Sequence, residues 1–437
     1  MGRHDDEMNR RRQRREEMRQ RQEAEQKRLK AGLVVAAILL VVCAVAMLSI
    51  IRDTGVSLKP ETQATEAPVQ ATKPPETTQP KSMAEQNTTS TIHIRAAGDL
   101  NVTDSVVKSG LTAAGYDFTR SFIDVAPLLS EADLTLLNLE GNIVGEPYGT
   151  ERTSAPSQLL DALRSAGVDL IQMANSCAIN NGLIGLNSTL KAIHNAGLEP
   201  VGAYASQQDF QRAKGYTICE AKGIKIAFVA FTKGLNGMGL PSGSEDCVNL
   251  LYQDYDSEYK KIDSEGITKI LKNVAAEKPD ITIALLHWGS EGTDSHSDSQ
   301  ERIVNLMKKQ GVDVIIGSHP HRIHKIEFDQ AAGSLVAYSL GDFFGDASAG
   351  GSNYSIILDI EITKDNLAGI TRVTNYSYTP IYILKETDCI DGDRRVVRIY
   401  QAIHAYDGKF VDSITKACYS DMKYSLDRIA DRIKGKY

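Results

Sequence analysis

Residues 281–291 read Ile281-Thr282-Ile283-Ala284-Leu285-Leu286-His287-Trp288-Gly289-Ser290-Glu291, and residues 312–321 repeat the plan as Val312-Asp313-Val314-Ile315-Ile316-Gly317-Ser318-His319-Pro320-His321. The runs Ile281–Leu286 and Val312–Ile316 have the length and apolar character of buried strands, and each is followed at once by polar residues. In an open α/β sheet, ligands bind in the crevice beyond the carboxyl ends of the strands. Three histidines delivered there by two strands can converge on one point, which suggests a divalent metal. A single strand-end histidine is explained more simply as a cap on a carbonyl. His287, His319 and His321 together, with acidic partners, are not.

Those partners are Asp99, which ends the run Ile92–Asp99, and Glu140, which ends Leu134–Glu140. Both carboxylates are placed by the same strand-then-loop device. A carboxylate can bridge two cations and imidazole suits zinc, iron or manganese, so this mixed oxygen and nitrogen set fits one or two such ions and argues against calcium. Imidazoles must be neutral to bind, so occupancy is expected to fall below about pH 6.5, the ordinary histidine pKa. Taken alone, the two carboxylates would do no more than cap the turns that follow.

The region from residue 91 onward is long enough for one large domain or a domain with an appendage. Within it, helical patterns at Ser157–Ala166, Leu186–Ala196, Glu258–Val274 and Ser299–Gln310 alternate with strand runs at Leu170–Met173, Ile224–Phe231 and Leu335–Ser339. That alternation indicates α/β. A last helix is expected over Asp412–Lys434, where Ile414, Cys418, Met422, Leu426, Ile429 and Ile433 recur at near-helical spacing, as a packing element of a C-terminal extension, residues 386–437. No internal repeat, Walker loop or Ser/His/Asp nucleophile motif is present.

The N-terminus indicates where such a domain works. Residues 1–30 carry eleven basic against seven acidic side chains, a net +4, and residues 31–51 then run for 21 residues without a charge. At about 1.5 Å per residue that length spans a hydrocarbon core of about 30 Å. It exceeds the apolar core of a cleaved leader and no Ala-x-Ala site follows it, so a membrane helix is expected. The basic arm stays cytoplasmic by the positive-inside rule, which puts the rest of the chain outside the cell membrane. Arginines interleaved with Glu and Gln, without an apolar heptad seam, read as a solvated arm near anionic headgroups and not as a nucleic-acid surface. Residues 52–90 hold Pro60, Pro68, Pro74, Pro75 and Pro80 among Thr, Gln, Glu and Lys, a composition expected of a disordered stalk.

Gly98-Asp99, Asn138-Leu139-Glu140-Gly141, His287-Trp288-Gly289-x-Glu291, Gly317-Ser318-His319-Pro320-His321 and Tyr338-Ser339-Leu340-Gly341-Asp342-Phe343 occur in an order that resembles the CapA family of capsule and poly-γ-glutamate synthesis. That family resembles the calcineurin-like metallophosphoesterases, and the likeness covers residues 91–385. It implies a four-layer β-sandwich flanked by helices, with a metal centre at the strand ends. It also implies that Asp99 and His321 serve one metal, His287 and His319 the other, with Glu140 between them. One motif is broken. Where the family carries Ala-Asn-Asn-His-x-x-Asp-x-Gly, this chain has Ala174-Asn175-Ser176-Cys177-Ala178-Ile179-Asn180-Asn181-Gly182, and Asp342 stands at a usual Asn. Ser176 thus replaces a metal-binding amide and Cys177 replaces the imidazole that protonates a leaving group, which puts two-metal phosphoester cleavage in doubt. A single metal or a pure binding role is compatible with the remainder. Cys177 is a nucleophile or soft ligand only if its thiol ionises; otherwise it is a small buried hydrophobe.

The whole chain carries −7, leaving −11 on residues 31–437. That balance gives no broad attraction for an anionic polymer, so any such contact is local. Five cysteines follow the apolar run, and Cys389 with Cys418 or Cys219 with Cys247 are candidate disulfides in an oxidising exterior. Two functions fit the residues. One is a membrane-anchored accessory protein working with a polymer-synthesis membrane complex; the other is an extracytoplasmic metal-dependent hydrolase of a phosphoester or amide linkage in a wall polymer.

Overall fold

The computed structural model describes residues 88–409 and 414–437. The basic arm, the apolar run 31–51 and the stalk up to residue 87 lie outside them, and among the described residues no helix is long and apolar enough to cross a membrane. In chain order the strands are β1 (Thr89–Asn101), β2 (Leu111–Thr112), β3 (Gly115–Tyr116), β4 (Leu134–Glu140), β5 (Leu170–Gln172), β6 (Glu199–Val201), β7 (Thr217–Ala221) and β8 (Ile224–Thr232). They continue as β9 (Ile281–His287), β10 (Val314–Ser318), β11 (Ile326–Asp329), β12 (Ser334–Ala337), β13 (Asp342–Phe344), β14 (Tyr354–Asp365), β15 (Ile370–Leu384) and β16 (Arg395–Arg398).

Two mixed sheets result. The first has the order β16-β15-β14-β1-β4-β5-β6, with β13 also paired to β1, and the second has the order β11-β12-β10-β9-β8-β7. In the second sheet β8, β9, β10 and β12 run parallel. Their near-continuous apolar sequences fit strands covered on both faces. Alternation sorts the side chains: Ile226, Phe228, Ile283, Leu285, Val314 and Ile316 join the core shared with the first sheet. Ala227, Val229, Phe231, Ala284, Leu286 and Ile315 instead meet Ile267, Leu271 and Val274 of the helix Ser264–Ala276 and Ile303 and Met307 of the helix Asp298–Lys309. On the first sheet, Leu159, Leu160 and Leu163 of the helix Gln158–Ser165 and Leu186, Leu190 and Ile193 of the helix Gly182–Asn195 bury their apolar stripes in the shared core. Helix, sheet, sheet and helix therefore follow one another.

The structure departs from the expected elements in three places. The helix expected from Glu258 begins only at Ser264. The Asp254 carboxylate accepts the backbone N–H groups of Lys260 and Lys261 at 2.9 Å each, and Asp263 caps the helix by accepting from Gly266 N at 3.1 Å. Carboxylates that satisfy the backbone locally compete with the helix, so residues 259–263 stay irregular, with Ile262 bridged to Tyr252. The last helix, Lys416–Ile433, starts behind Thr415, whose hydroxyl accepts from Cys418 N; the expected start at Asp412 falls on residues 410–413, outside the described ones. Neither candidate disulfide is formed, since Cys177, Cys219, Cys247, Cys389 and Cys418 are all free thiols. The C-terminal extension adds β16 antiparallel to β15 and so enlarges the first sheet.

Candidate metal centre

Strand register brings the polar residues to one end of the two sheets. Asp99 is level with Asn138 across β1 and β4 and with Asp342 across β1 and β13, and His287 is level with Ser318 across β9 and β10. β1 reaches this position because residue 98 is glycine. A Cβ there would stand 1.8 Å from the Gly341 carbonyl oxygen, to which Asp99 N donates at 3.0 Å. The two sheets are joined at the site itself, where His319 N donates to Asp99 Oδ2 at 2.9 Å. The loop carrying both histidines is strained, with φ of 95° at His319 and 58° at His321. Such left-handed backbone costs on the order of 1–3 kcal/mol per residue and is retained where its surroundings over-determine it.

All five residues singled out by sequence as ligands stand in this cluster. Glu140, His287 and His319 have donor atoms within 4.8 Å of one another, as do Asp99, Glu140 and His321, so Glu140 belongs to both triads. A third set, Glu291, His319 and His321, lies toward the surface. Cys177 enters none of the three.

Asn138, quoted in a motif but given no role, sits at the centre. Its Nδ2 donates to Asp99 Oδ1 at 2.8 Å and Glu140 Oε1 at 3.3 Å, and its Oδ1 accepts from Asn175 at 3.0 Å. The signal was available in the pattern: an Asn two residues before Glu140 on one strand must share its face. Lys233 was missed altogether. It follows β8 directly, and nothing in the local sequence marks its ammonium as facing a cavity formed by four other segments.

The electrostatics follow from burial. Desolvation pushes the Asp99 carboxyl up to about 6, with the Asp342 charge adding and the His321 charge and the Asn138 and His319 donors opposing. Burial and the Asp99 charge raise Glu140 well above the usual carboxylate range, and burial raises Asp342 as well. Burial alone would lower His321, but the Asp342 hydrogen bond at 2.8 Å and the charges of Glu140, Asp342 and Asp99 push it up to about 11. Burial holds His319 down to about 3 and His287 well below the histidine range, with the neighbouring cations of Lys233 and His321 adding to both. Three buried carboxylates thus share one imidazolium. His287 Nε2 and His319 Nδ1 are buried, uncharged and without a hydrogen-bond partner. Buried polar atoms and charges are normally paired or coordinate a metal, so this donor set fits a divalent cation. The Cys177 thiol is pushed up to about 12 by burial and the Glu140 charge, which favours its protonated form.

The sequence profile of the family described as bacterial capsule synthesis protein PGA_cap matches residues 93–347. The chain belongs to the PGA_cap family. It is similar to the capsule biosynthesis protein CapA of Bacillus anthracis, 26% identical over 247 residues covering 55% of this chain and 56% of that protein. The PGA biosynthesis protein CapA of Bacillus subtilis is 25% identical over 227 residues, 52% of this chain and 56% of that one. This PGA_cap chain therefore spans little more than half the length of the curated relatives it matches. Among solved structures it is similar to the calcineurin-like phosphoesterase YfkN of Bacillus subtilis, at 18% identity and a TM-score of 0.42, over 67% of this chain and 90% of that one.

Proposed function

We propose that this chain is a membrane-anchored, extracytoplasmic accessory protein of capsule or poly-γ-glutamate synthesis or export whose globular body holds a divalent transition metal. The observation that carries the metal reading is the position of Glu140, common to two ligand triads, one of which holds the buried, partnerless atoms His287 Nε2 and His319 Nδ1. The uncharged run 31–51 behind an arginine-rich arm supports the anchor, and family membership supports the process. Asp99, Glu140 and His321 would hold one ion, and Glu140, His287 and His319 a second. When bound, such an ion supplies Lewis acidity and a charge to which a polymer's anionic group is drawn. The chain's own residues orient the centre: Asn138 holds both carboxylates, the His319 amide holds Asp99, and Asp342 holds the His321 ring.

Metal content of the full chain, purified in detergent and measured by plasma mass spectrometry, tests the proposal. At least one zinc, manganese or iron per chain is expected, and His319→Ala with His321→Ala should remove it. Full stoichiometry in that double variant would sink the assignment. One observation favours the hydrolase instead, namely a cavity of about 240 Å³ opening beside His319 and Ser176. Without the family's imidazole acid, worth about 10² to 10⁴ in rate, hydrolysis of an aryl phosphate should be slow, and Ser176→Asn with Cys177→His should raise it. Brisk metal-dependent turnover by the unaltered chain would promote the hydrolase.

A further inference from the structure

The cavity beside the ligand cluster contains a cation with unused donors. Lys233 N donates to the His287 carbonyl at 2.8 Å, which sets this residue at the same sheet end as the histidines. Its ammonium donates to the Gly289 carbonyl at 2.6 Å and lies 4.7 Å from the centroid of the Tyr259 ring. An ammonium has three donors. One is taken by Gly289, and among the described residues no carboxylate lies within ion-pair distance of the other two.

The surroundings hold that cation in place. A Cβ at Gly234 would stand 2.5 Å from Tyr259 Cε1 and 2.5 Å from the Tyr255 carbonyl oxygen, so only glycine lets the aromatic ring close over the lysine stem. Tyr259 arrives from the irregular segment that replaces the expected helix start, with φ of 55°. The walls of the 240 Å³ space include Ser176, Lys233, Tyr259, Ser290, Glu291 and His319. The volume suits one small polar group and not a drug-sized ligand. Ser176 contributes a short hydroxyl side chain where the resembling family carries a longer amide. Glu291 acts on this half-buried ammonium only through its charge, without a direct ion pair, so burial still lowers the lysine pKa and a ligand anion would offset that cost.

We infer that this cavity is an oxyanion subsite in which Lys233 holds a carboxylate or phosphate group of the ligand against the His319 side of the cluster. The inference rests on the reading of that cluster as the functional site, and names the class of group it takes. The Lys233 ammonium donates to one oxygen, the Ser176 and Tyr259 hydroxyls line the same walls, and a second oxygen faces His319. Lys233 is in this account a specificity residue: it selects anionic ligands and sets which end of them approaches the cluster.

The test titrates inorganic phosphate and, separately, glutarate into the full chain in detergent, as purified and after chelation, with calorimetric readout. Saturable binding of at least one probe is expected. Lys233→Met and Lys233→Gln should each weaken it about tenfold or more, as loss of a hydrogen bond to a charged group implies, with the circular dichroism spectrum and metal content unchanged. Lys233→Arg should restore most of it. Binding of phosphate alone assigns a phosphate ligand, and binding of glutarate alone assigns a carboxylate. Failure of both probes with the wild type, or unchanged affinity in the folded Lys233→Gln variant, overturns the inference. A wild type found free of metal overturns the metal reading, while Lys233-dependent anion binding in that same protein still supports the subsite.

Discussion

At the scale of single residues, the centre is governed by burial more than by the ordinary properties of its side chains. From sequence, metal occupancy is expected to fall below about pH 6.5 as free histidine protonates. The structure moves that edge to other groups. His319, held down to about 3, and His287, held well below the histidine range, remain neutral and able to ligate across the whole working range. Glu140, raised well above the carboxylate range, and Asp99, raised to about 6, are the carboxyls that hold a proton as the solution turns acid, and His321, raised to about 11, already holds one at neutral pH. The sign follows: an ion that displaces protons binds more weakly as pH falls, and the number displaced rises once Asp99 protonates. Calorimetry in buffers of differing ionisation heat should find proton release per ion increasing as pH drops through about 6. Asp99→Asn should weaken binding and abolish that increase. A constant release across this interval would show that the carboxylate does not compete.

At the scale of elements, what could be read from the sequence and what could not differ for physical reasons. β4 runs Leu134–Glu140 as its apolar run indicates, and β9 extends the expected Ile281–Leu286 by only His287, because burial on both faces leaves such runs no other conformation. The start at Glu258 misled because its cause is a carboxylate, Asp254, acting six and seven residues away on backbone amides, which no hydrophobic period reports. The candidate ligands Asp99, Glu140, His287, His319 and His321, which the structure brings together, could be picked out in the sequence because each closes an apolar run. Asn138 and Lys233 were not assigned, since their roles depend on the two sheets meeting. The approach of β1 to the Gly341 loop offers a test at this scale. Gly98→Ala puts a methyl 1.8 Å from a backbone oxygen that cannot swing away, so the strand end must shift. Overpacking of this kind costs about 1–3 kcal/mol. Urea unfolding should show a lowered midpoint, with weaker metal retention because Asp99 moves with the strand. A variant as stable as the wild type would mean that the loop yields freely.

At the scale of the whole molecule, the family match and the sheet do not end together. The match stops at residue 347, yet β14 begins at Tyr354 and pairs with β1 from Thr89 to Ala96, β15 runs along β14, and β16 along β15. A chain stopped at residue 347 would leave eight residues of β1 without their antiparallel neighbour. Such an edge offers a row of unpaired N–H and C=O groups to any other strand. Light scattering should find that shortened chain aggregated and the chain through Tyr437 dispersed; a dispersed short form would show that β1 is shielded some other way. The matched stretch is therefore smaller than the sheet it belongs to. A gene fusion or fission placed at the edge of the shared motif would yield a sticky fragment, whereas one placed beyond the last helix would spare it.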